Sequence, residues 1–426
     1  MRKSRSQASV AADCGDQGPL EPIDDVLAGL LAMAAPTQGV ESLPIGSALG
    51  RVTAQDIVSQ IPLPPFDNSA VDGYGITASD IDRTAPGSLR LVFRIPAGSA
   101  TSAVIGPGET VRLLTGAPVP EGVCAVVPEE RCRIRSNCVV VDQTGFDGAN
   151  IRRCGEDVAS GSVMVERGSV VDARHLAILA AAGCAMVPVR RRIRVALLST
   201  GNELREVSEK LGSGMIHDIN RPMLNAMLSK AWIDVKDFGI CADEPVQLAQ
   251  TLASAVADSD IVVTSGGASG SDEDHIGQAI AGMGGEVRRH QLAIKPGKPL
   301  IVGRLDGRIL LALPGNPVAA MVNFMLFGRP LLAAMAGTAS TRPSGQLAVC
   351  AGPFGHFAGR TEFVPAAIVG RDNAGRSVVT KLGKGGSARL RPLVLADGLA
   401  EIPAGVGDLA SGSDILFHLF QGETAL

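Results

Sequence analysis

The 426-residue chain is poor in aromatic side chains, with 11 Phe, one Tyr and one Trp, so Ala, Val, Leu and Ile must fill its interior. Such a core suits strands buried on both faces, as in α/β architecture. The eight cysteines include no C-x-x-C pair and their uneven spacing matches neither a zinc site nor a disulfide scaffold. Reduced thiols and a cytoplasmic location are expected. Charge of one sign is not in excess: 39 Lys and Arg face 43 Asp and Glu, for a net charge of −4. No broad basic face is offered to polyphosphate chains, and nucleic acid is not an expected partner. Neither a Walker motif nor a G-x-G-x-x-G after a strand pattern occurs, so P-loop hydrolysis and hydride transfer lose their usual carriers. The apolar run 177–189 is short of the ~20 residues of a spanning helix, and no membrane association is expected. Residues 1–19 carry early positive charge with no apolar stretch after it and read as a disordered tail, not a targeting segment.

At about 150 residues per domain, the length predicts roughly three domains. Ile23, Val26, Leu27, Leu30 and Leu31 fall at helical spacing before Pro36, and an Ala- and Leu-rich helix pattern returns over 172–186. Between them, short β-like runs such as RLVFRI, TVRLL and CAVVP alternate with Gly and Pro turns. The pattern predicts a helical unit made of 20–60 and 159–190, interrupted by a β-rich domain over 61–158. From VALLST onward strands and amphipathic helices alternate, which predicts an α/β domain with a mainly parallel sheet over 191–336. After a Ser/Thr/Pro/Gly linker the chain returns to short strands over 340–426, a small barrel or sandwich.

Ligands of open parallel sheets bind where loops leave the carboxyl ends of strands. Glu203 follows VALLST, Asp243 follows WIDVKDFGI, Asp274 follows IVVT, and Pro314-Gly315-Asn316-Pro317 follows ILLAL. Each loop alone is an ordinary turn with a helix cap; together they mark a site. The run Ser265-Gly266-Gly267-Ala268-Ser269 lets successive amides face one concavity and so cradle an anion. Three carboxylates beside that cradle would repel an anion unless a hard divalent cation such as Mg²⁺ bridged them. Lys295 and Lys298, in AIKPGKP, stand on a chain stiffened by two prolines, which suits a compact tetrahedral dianion.

Read in order, PLPPFDNSAVDGYG, LLTGAPVPEG, NIRRCGED, LLSTGNEL, INRPML, TSGGAS, AIKPGKP, LPGNPVAA and GRTEF resemble the motif series of the MoeA and gephyrin E-domain family, the molybdopterin molybdenumtransferases. The resemblance covers about residues 22–420. It implies insertion of molybdate into adenylylated molybdopterin, with AMP released and Mg²⁺ assisting. It further implies an elongated helical domain interrupted by a β-rich domain, an α/β domain like molybdopterin adenylyltransferase, and a C-terminal β-barrel. A homodimer is implied, with its cleft shared between subunits, and with molybdopterin adenylyltransferase and recipient molybdoenzymes as protein partners. Carried over by position, Asp72, Thr115 and Asp157 are functional positions of the inserted domain, and Glu203, Asp243 and Asp274 are catalytic and hold the metal. Ser265, Gly266, Gly267, Ser269, Asn220, Arg221, Pro314, Asn316 and Pro317 match the substrate-binding positions; Lys295, Lys298, Arg360 and Ser387 match the molybdate positions. Two departures stand out: Ile219 replaces a usual Ser or Thr, and Gly270-Ser271 replaces an aliphatic residue and Gly. The intact acids and lysines favour a working enzyme over a paralogue kept as a molybdopterin-binding scaffold.

Overall fold

The computed structural model describes residues 19–81, 88–100, 102–142, 145–267, 275–339, 342–383 and 388–420. Its central element is a six-stranded sheet in the order Ile233–Cys241, Ile193–Thr200, Ile261–Ser265, Arg308–Leu313, Pro299–Leu305, Glu286–Gln291. The first four strands are parallel and the last two antiparallel. The apolar runs of Ile261–Ser265 and Ile193–Thr200 are buried almost throughout, because helices cover both sheet faces. On one face, helix Pro245–Asp258 buries Leu248, Leu252, Ala255 and Val256, a spacing that forms a single helical stripe. Glu244 caps that helix, accepting from the Gln247 amide at 2.8 Å, and Pro245 occupies its first turn.

The other face is covered by a continuous helical run, Pro317–Ala336, with one π-helical stretch at Phe324–Gly328. By length and composition this run could cross a membrane, and 78% of its most apolar window is buried in the protein. The uncharged stretch 309–328 that leads into it is broken by the turn Pro314-Gly315-Asn316-Pro317, and Arg329 interrupts the rest. Gly328 is required there, since a Cβ would lie 2.5 Å from the Phe324 ring.

Helix Ile23–Met33 forms where the spacing predicts, but it packs in the same cluster as the central sheet. The flanks of the inserted region are mainly paired strands and not helices. Val40–Pro44 pairs with Met186–Arg190 and Ile57–Val58 with Val163–Val165, beside one helix, Ala173–Ala181. Pro44 and Pro188 and the β-branched residues around them favour strand over helix, whereas the stretch after the Asp172 cap has no proline and a single β-branched residue, Ile178.

The inserted region forms a six-stranded sheet, ordered Val123–Pro128, Gly73–Thr77, Glu109–Leu113, Ser88–Ile95, Cys138–Val141, Cys132–Arg135. At the carboxyl end of the chain the open choice between barrel and sandwich resolves to a barrel. Gln346–Cys350, Thr361–Arg371, Ser377–Lys381, Gly398–Ile402 and Asp414–Leu419 pair in a closed ring. Ile294–Lys295, leaving the central unit, joins this barrel as a parallel strand against Thr361 and Glu362.

Candidate active site

Strand Ile193–Thr200 lies between Ile233–Cys241 and Ile261–Ser265, its two successors in the sheet, so the order of strands reverses between Ile193–Thr200 and Ile261–Ser265. That is the switch point of the sheet, where a crevice opens at the carboxyl ends. Gly266 and Gly267 follow the third parallel strand with φ of +92° and +67°. A Cβ on Gly266 would lie 2.2 Å from the Thr200 carbonyl oxygen, so only glycine lets the two strand ends approach.

Asn220 opens the helix Asn220–Met227 and ties three loops together. Its Nδ2 donates to Ser265 Oγ at 2.7 Å and to the Gly315 carbonyl at 2.6 Å. Pro314 and Gly315 turn the chain toward the next helix, which Asn316 precedes and Pro317 begins. Several polar atoms are left over at these strand ends. Asn220 Oδ1, Asp243 Oδ1, Thr200 Oγ1, Ser199 Oγ and Thr264 Oγ1 are buried without a hydrogen-bond partner among the described residues. Leaving such a buried atom unsatisfied costs about 1–3 kcal/mol, which makes these atoms candidates for ligand contact. Glu203 is exposed on the loop after Thr200, its carboxylate folded against Gly201.

Arg221 is buried and committed to three carboxylates, Asp218 at 3.0 Å, Asp237 at 2.6 Å and Glu206 at 2.6 Å. Burial would lower its pKa, and the Glu206 and Asp218 hydrogen bonds with the Asp237 charge outweigh it and hold the guanidinium above its ordinary value. Ile219 is 39% exposed, and the adjacent Asp218 Oδ1 accepts the amides of Asn220 and Arg221 at 3.1 Å each, which fixes the turn without a hydroxyl at 219.

The second group meets where the sheet domain and the barrel adjoin. Lys295, Lys298 and Arg360 line one cleft of about 420 Å³, together with Val318, Phe363, Pro365 and Pro392. The KPGK loop is a fixed structure: buried Asn323 donates to the Gly297 carbonyl at 3.0 Å, and a Cβ on Gly297 would lie 2.2 Å from its Nδ2. Sequence reasoning missed Asn323, and it missed Lys381, Arg389 and Glu362, which line the same cleft. The second basic group after the barrel strand, Arg389-Leu390-Arg391, was the available signal. Burial would raise the pKa of Glu362, and hydrogen bonds from His356 and Lys295 outweigh it, so the carboxyl lies below its ordinary range.

The third group converges on the inserted sheet. Asp72 Oδ1 accepts from the Thr115 hydroxyl and amide, each at 2.7 Å, and these bonds hold its pKa below the usual carboxylate value. Asp67 binds Arg153 and the Cys154 amide at 2.7 Å, while the Asp157 amide donates to the Leu63 carbonyl at 3.0 Å and leaves the side chain exposed. Thus PLPPFDNSAVDGYG, LLTGAPVPEG and NIRRCGED form one surface. Among the described residues, no hydrogen bond or ion pair joins that surface to the strand-end crevice. Asp274, Ser269 and Ser387 lie outside the described residues, as do Gly270-Ser271 and residues 1–18. No cluster of three or more His, Cys, Asp or Glu side chains suited to a metal occurs among the described residues.

Comparison with known proteins decides the family. Residues 21–183 match the MoeA N-terminal region (domains I and II), 196–334 a probable molybdopterin-binding domain, and 348–420 the MoeA C-terminal region (domain IV). Molybdopterin molybdenumtransferase 2 of Mycobacterium tuberculosis is 35% identical over 382 residues, covering 88% of this chain and 93% of that protein. The chain belongs to the MoeA family. The molybdopterin molybdenumtransferase of Haemophilus influenzae is 37% identical over 303 residues, covering 71% of this chain and 74% of that protein. The crystal structure of a MoeA protein of molybdopterin biosynthesis from Pyrococcus horikoshii superposes with a TM-score of 0.78 at 30% identity, covering 95% of this chain and 100% of that one.

Proposed function

We propose that this MoeA-family chain is a molybdopterin molybdenumtransferase, which inserts molybdate into adenylylated molybdopterin and releases AMP. The observation that carries the reading is the pairing of two binding features: the strand-end crevice with its unsatisfied polar atoms, and the neighbouring cleft with Lys295, Lys298 and Arg360. Helix Pro317–Asn323 spans both, since its preceding loop accepts from Asn220 and its Val318 lines the cleft. In this reading the Gly266-Gly267 turn offers the Gly267 amide and the Ser265 hydroxyl to phosphate oxygens, while the Gly266 amide is taken by the Leu313 carbonyl and Asn220, its amide hydrogens given to Ser265 and Gly315, holds the turn in place. Arg221 is a positioning residue that holds the helix start carrying Asn220. Lys295, Lys298, Arg360 and Ser387 hold molybdate, a dianion that ammonium and guanidinium groups suit. Pro314, Asn316 and Pro317 shape the floor between the two ligands.

The buried, unpartnered Asp243 Oδ1 beside the Glu203 loop fits a hard cation, whose usual ligands are carboxylate oxygens. Glu203, Asp243 and Asp274 would hold Mg²⁺, which when bound neutralises charge on the pyrophosphate that is cleaved. The described separation of the Asp72, Thr115 and Asp157 surface from the crevice favours a homodimer in which one subunit's inserted domain completes its partner's cleft. We assign the division into 20–60 with 159–190, 61–158, 191–336 and 340–426, an elongated form and a cytoplasmic location to this same reading, with molybdopterin adenylyltransferase and recipient molybdoenzymes as protein partners. The test is AMP release from adenylylated molybdopterin with Mg²⁺ and micromolar molybdate. Release that depends on molybdate supports the transferase, and tight substrate binding without AMP replaces it with a scaffold.

A further inference from the structure

The cleft assigned to the oxyanion holds one acid among its described lining residues. Lys295, Lys298, Arg360, Lys381 and Arg389 surround Glu362. Its side chain is 5% exposed, and both its oxygens are in use. Oε1 lies 3.1 Å from Lys295 Nζ, and Oε2 lies 2.9 Å from His356 Nδ1. An ionised carboxylate only accepts, so His356 Nδ1 carries a hydrogen toward it. His356 Nε2 is buried without a partner among the described residues. A hydrogen bond from His356 Nδ1 favours the ionised form of the Glu362 carboxylate. Lys381, the other nearby cation on this side, donates to the Gly355 carbonyl at 3.2 Å.

We propose that Glu362 is a built-in counter-charge that limits how tightly this cleft holds its oxyanion. The inference rests on the cleft being the oxyanion site. A tetrahedral dianion bound at Lys295 shares that ammonium with the carboxylate, so two anionic groups meet across one cation. Their repulsion grows with the product of the charges and is poorly screened for a buried group. Glu362 also tethers Lys295, yet ordering one lysine side chain is a smaller effect than repulsion between a carboxylate and a dianion. A cleft that must release its oxyanion into a product gains from this limit, because binding the ground state more tightly does not speed the transfer.

The direct test is calorimetric titration of the intact protein with molybdate alone, at fixed pH and ionic strength, for the wild type, Glu362→Gln and Lys295→Met. The expected result is binding at least tenfold tighter in Glu362→Gln and at least tenfold weaker in Lys295→Met. In turnover, Glu362→Gln lowers the KM for molybdate without raising kcat. Weaker or unchanged binding in Glu362→Gln overturns the proposal and makes Glu362 a tether alone, while leaving the oxyanion site standing. Absence of wild-type binding overturns the oxyanion site itself, and the proposal with it. Should circular dichroism show that Glu362→Gln does not fold, Glu362→Met fills similar space without charge and carries the same prediction.

Discussion

Asn220 Nδ2 lies 2.7 Å from Ser265 Oγ, and this contact joins the first turn of one helix to the end of the sheet's third parallel strand. The same amide reaches the Gly315 carbonyl, so three loops of the crevice depend on one side chain. Asn220→Ala removes both bonds and is expected to lower stability by about 1–3 kcal/mol. Because the loops would then shift relative to each other, AMP release is expected to fall by about a hundredfold. Thermal unfolding and single-turnover assays of the same preparation separate the two effects.

Gly266 offers a sterically determined test. Its φ of +92° and the 2.2 Å approach of a Cβ to the Thr200 carbonyl leave no room for alanine. Gly266→Ala is expected to cost at least about 2 kcal/mol through backbone strain and displacement of the strand end. An equilibrium denaturation curve indistinguishable from wild type would show that the turn adapts and is not rigid.

The Asp72–Thr115 pair carries a pH signature. Asp72's pKa is held down first by the Thr115 hydroxyl and then by its amide. A lowered folded value means the stabilisation is fully present above the unfolded pKa of about 3.9 and is lost as pH falls through the folded value. Thr115→Val removes the hydroxyl and is expected to move the Asp72 titration upward, with the acid limb of the stability profile moving the same way. NMR titration of the Asp72 carboxyl reads the shift; an unmoved titration contradicts the assigned cause.

Lys298 and Arg389 line the same cleft, one on the KPGK loop and one on the barrel side. Lys298→Ala is expected to raise the molybdate concentration needed for half-maximal AMP release by at least about tenfold, the loss of one charge-assisted contact. Arg389→Ala, on the barrel side, is expected to act in the same direction by a smaller factor because the residue is exposed. A molybdate requirement unchanged in Lys298→Ala would make the KPGK loop a structural turn only.

The parallel strands of the central sheet were legible because a strand buried on both faces reads as an unbroken apolar run, as in IVVT and ILLAL. Gly266-Gly267 and the KPGK lysines were legible too, because their chemistry is local to a few residues. Glu362 and Asn323 were not. Glu362 bonds His356 and Lys295, and Lys295 reaches it only because Ile294–Lys295 pairs with Thr361 and Glu362 across the barrel edge, a long-range register with no local signal. Asn323 sits in an apolar helix, and nothing in that helix says it faces the Gly297 carbonyl. The flanks over 40–60 and 159–190 misled for a similar reason. Helix Ala173–Ala181 is a local feature, whereas the pairing of Val40–Pro44 with Met186–Arg190 depends on residues far apart in the chain.

The most direct test of the central claim is AMP release from adenylylated molybdopterin by the purified protein, measured with and without molybdate in the presence of Mg²⁺. The account predicts release that rises with molybdate and is accompanied by activation of an apo-molybdoenzyme. Release independent of molybdate, or none despite bound substrate, would contradict it.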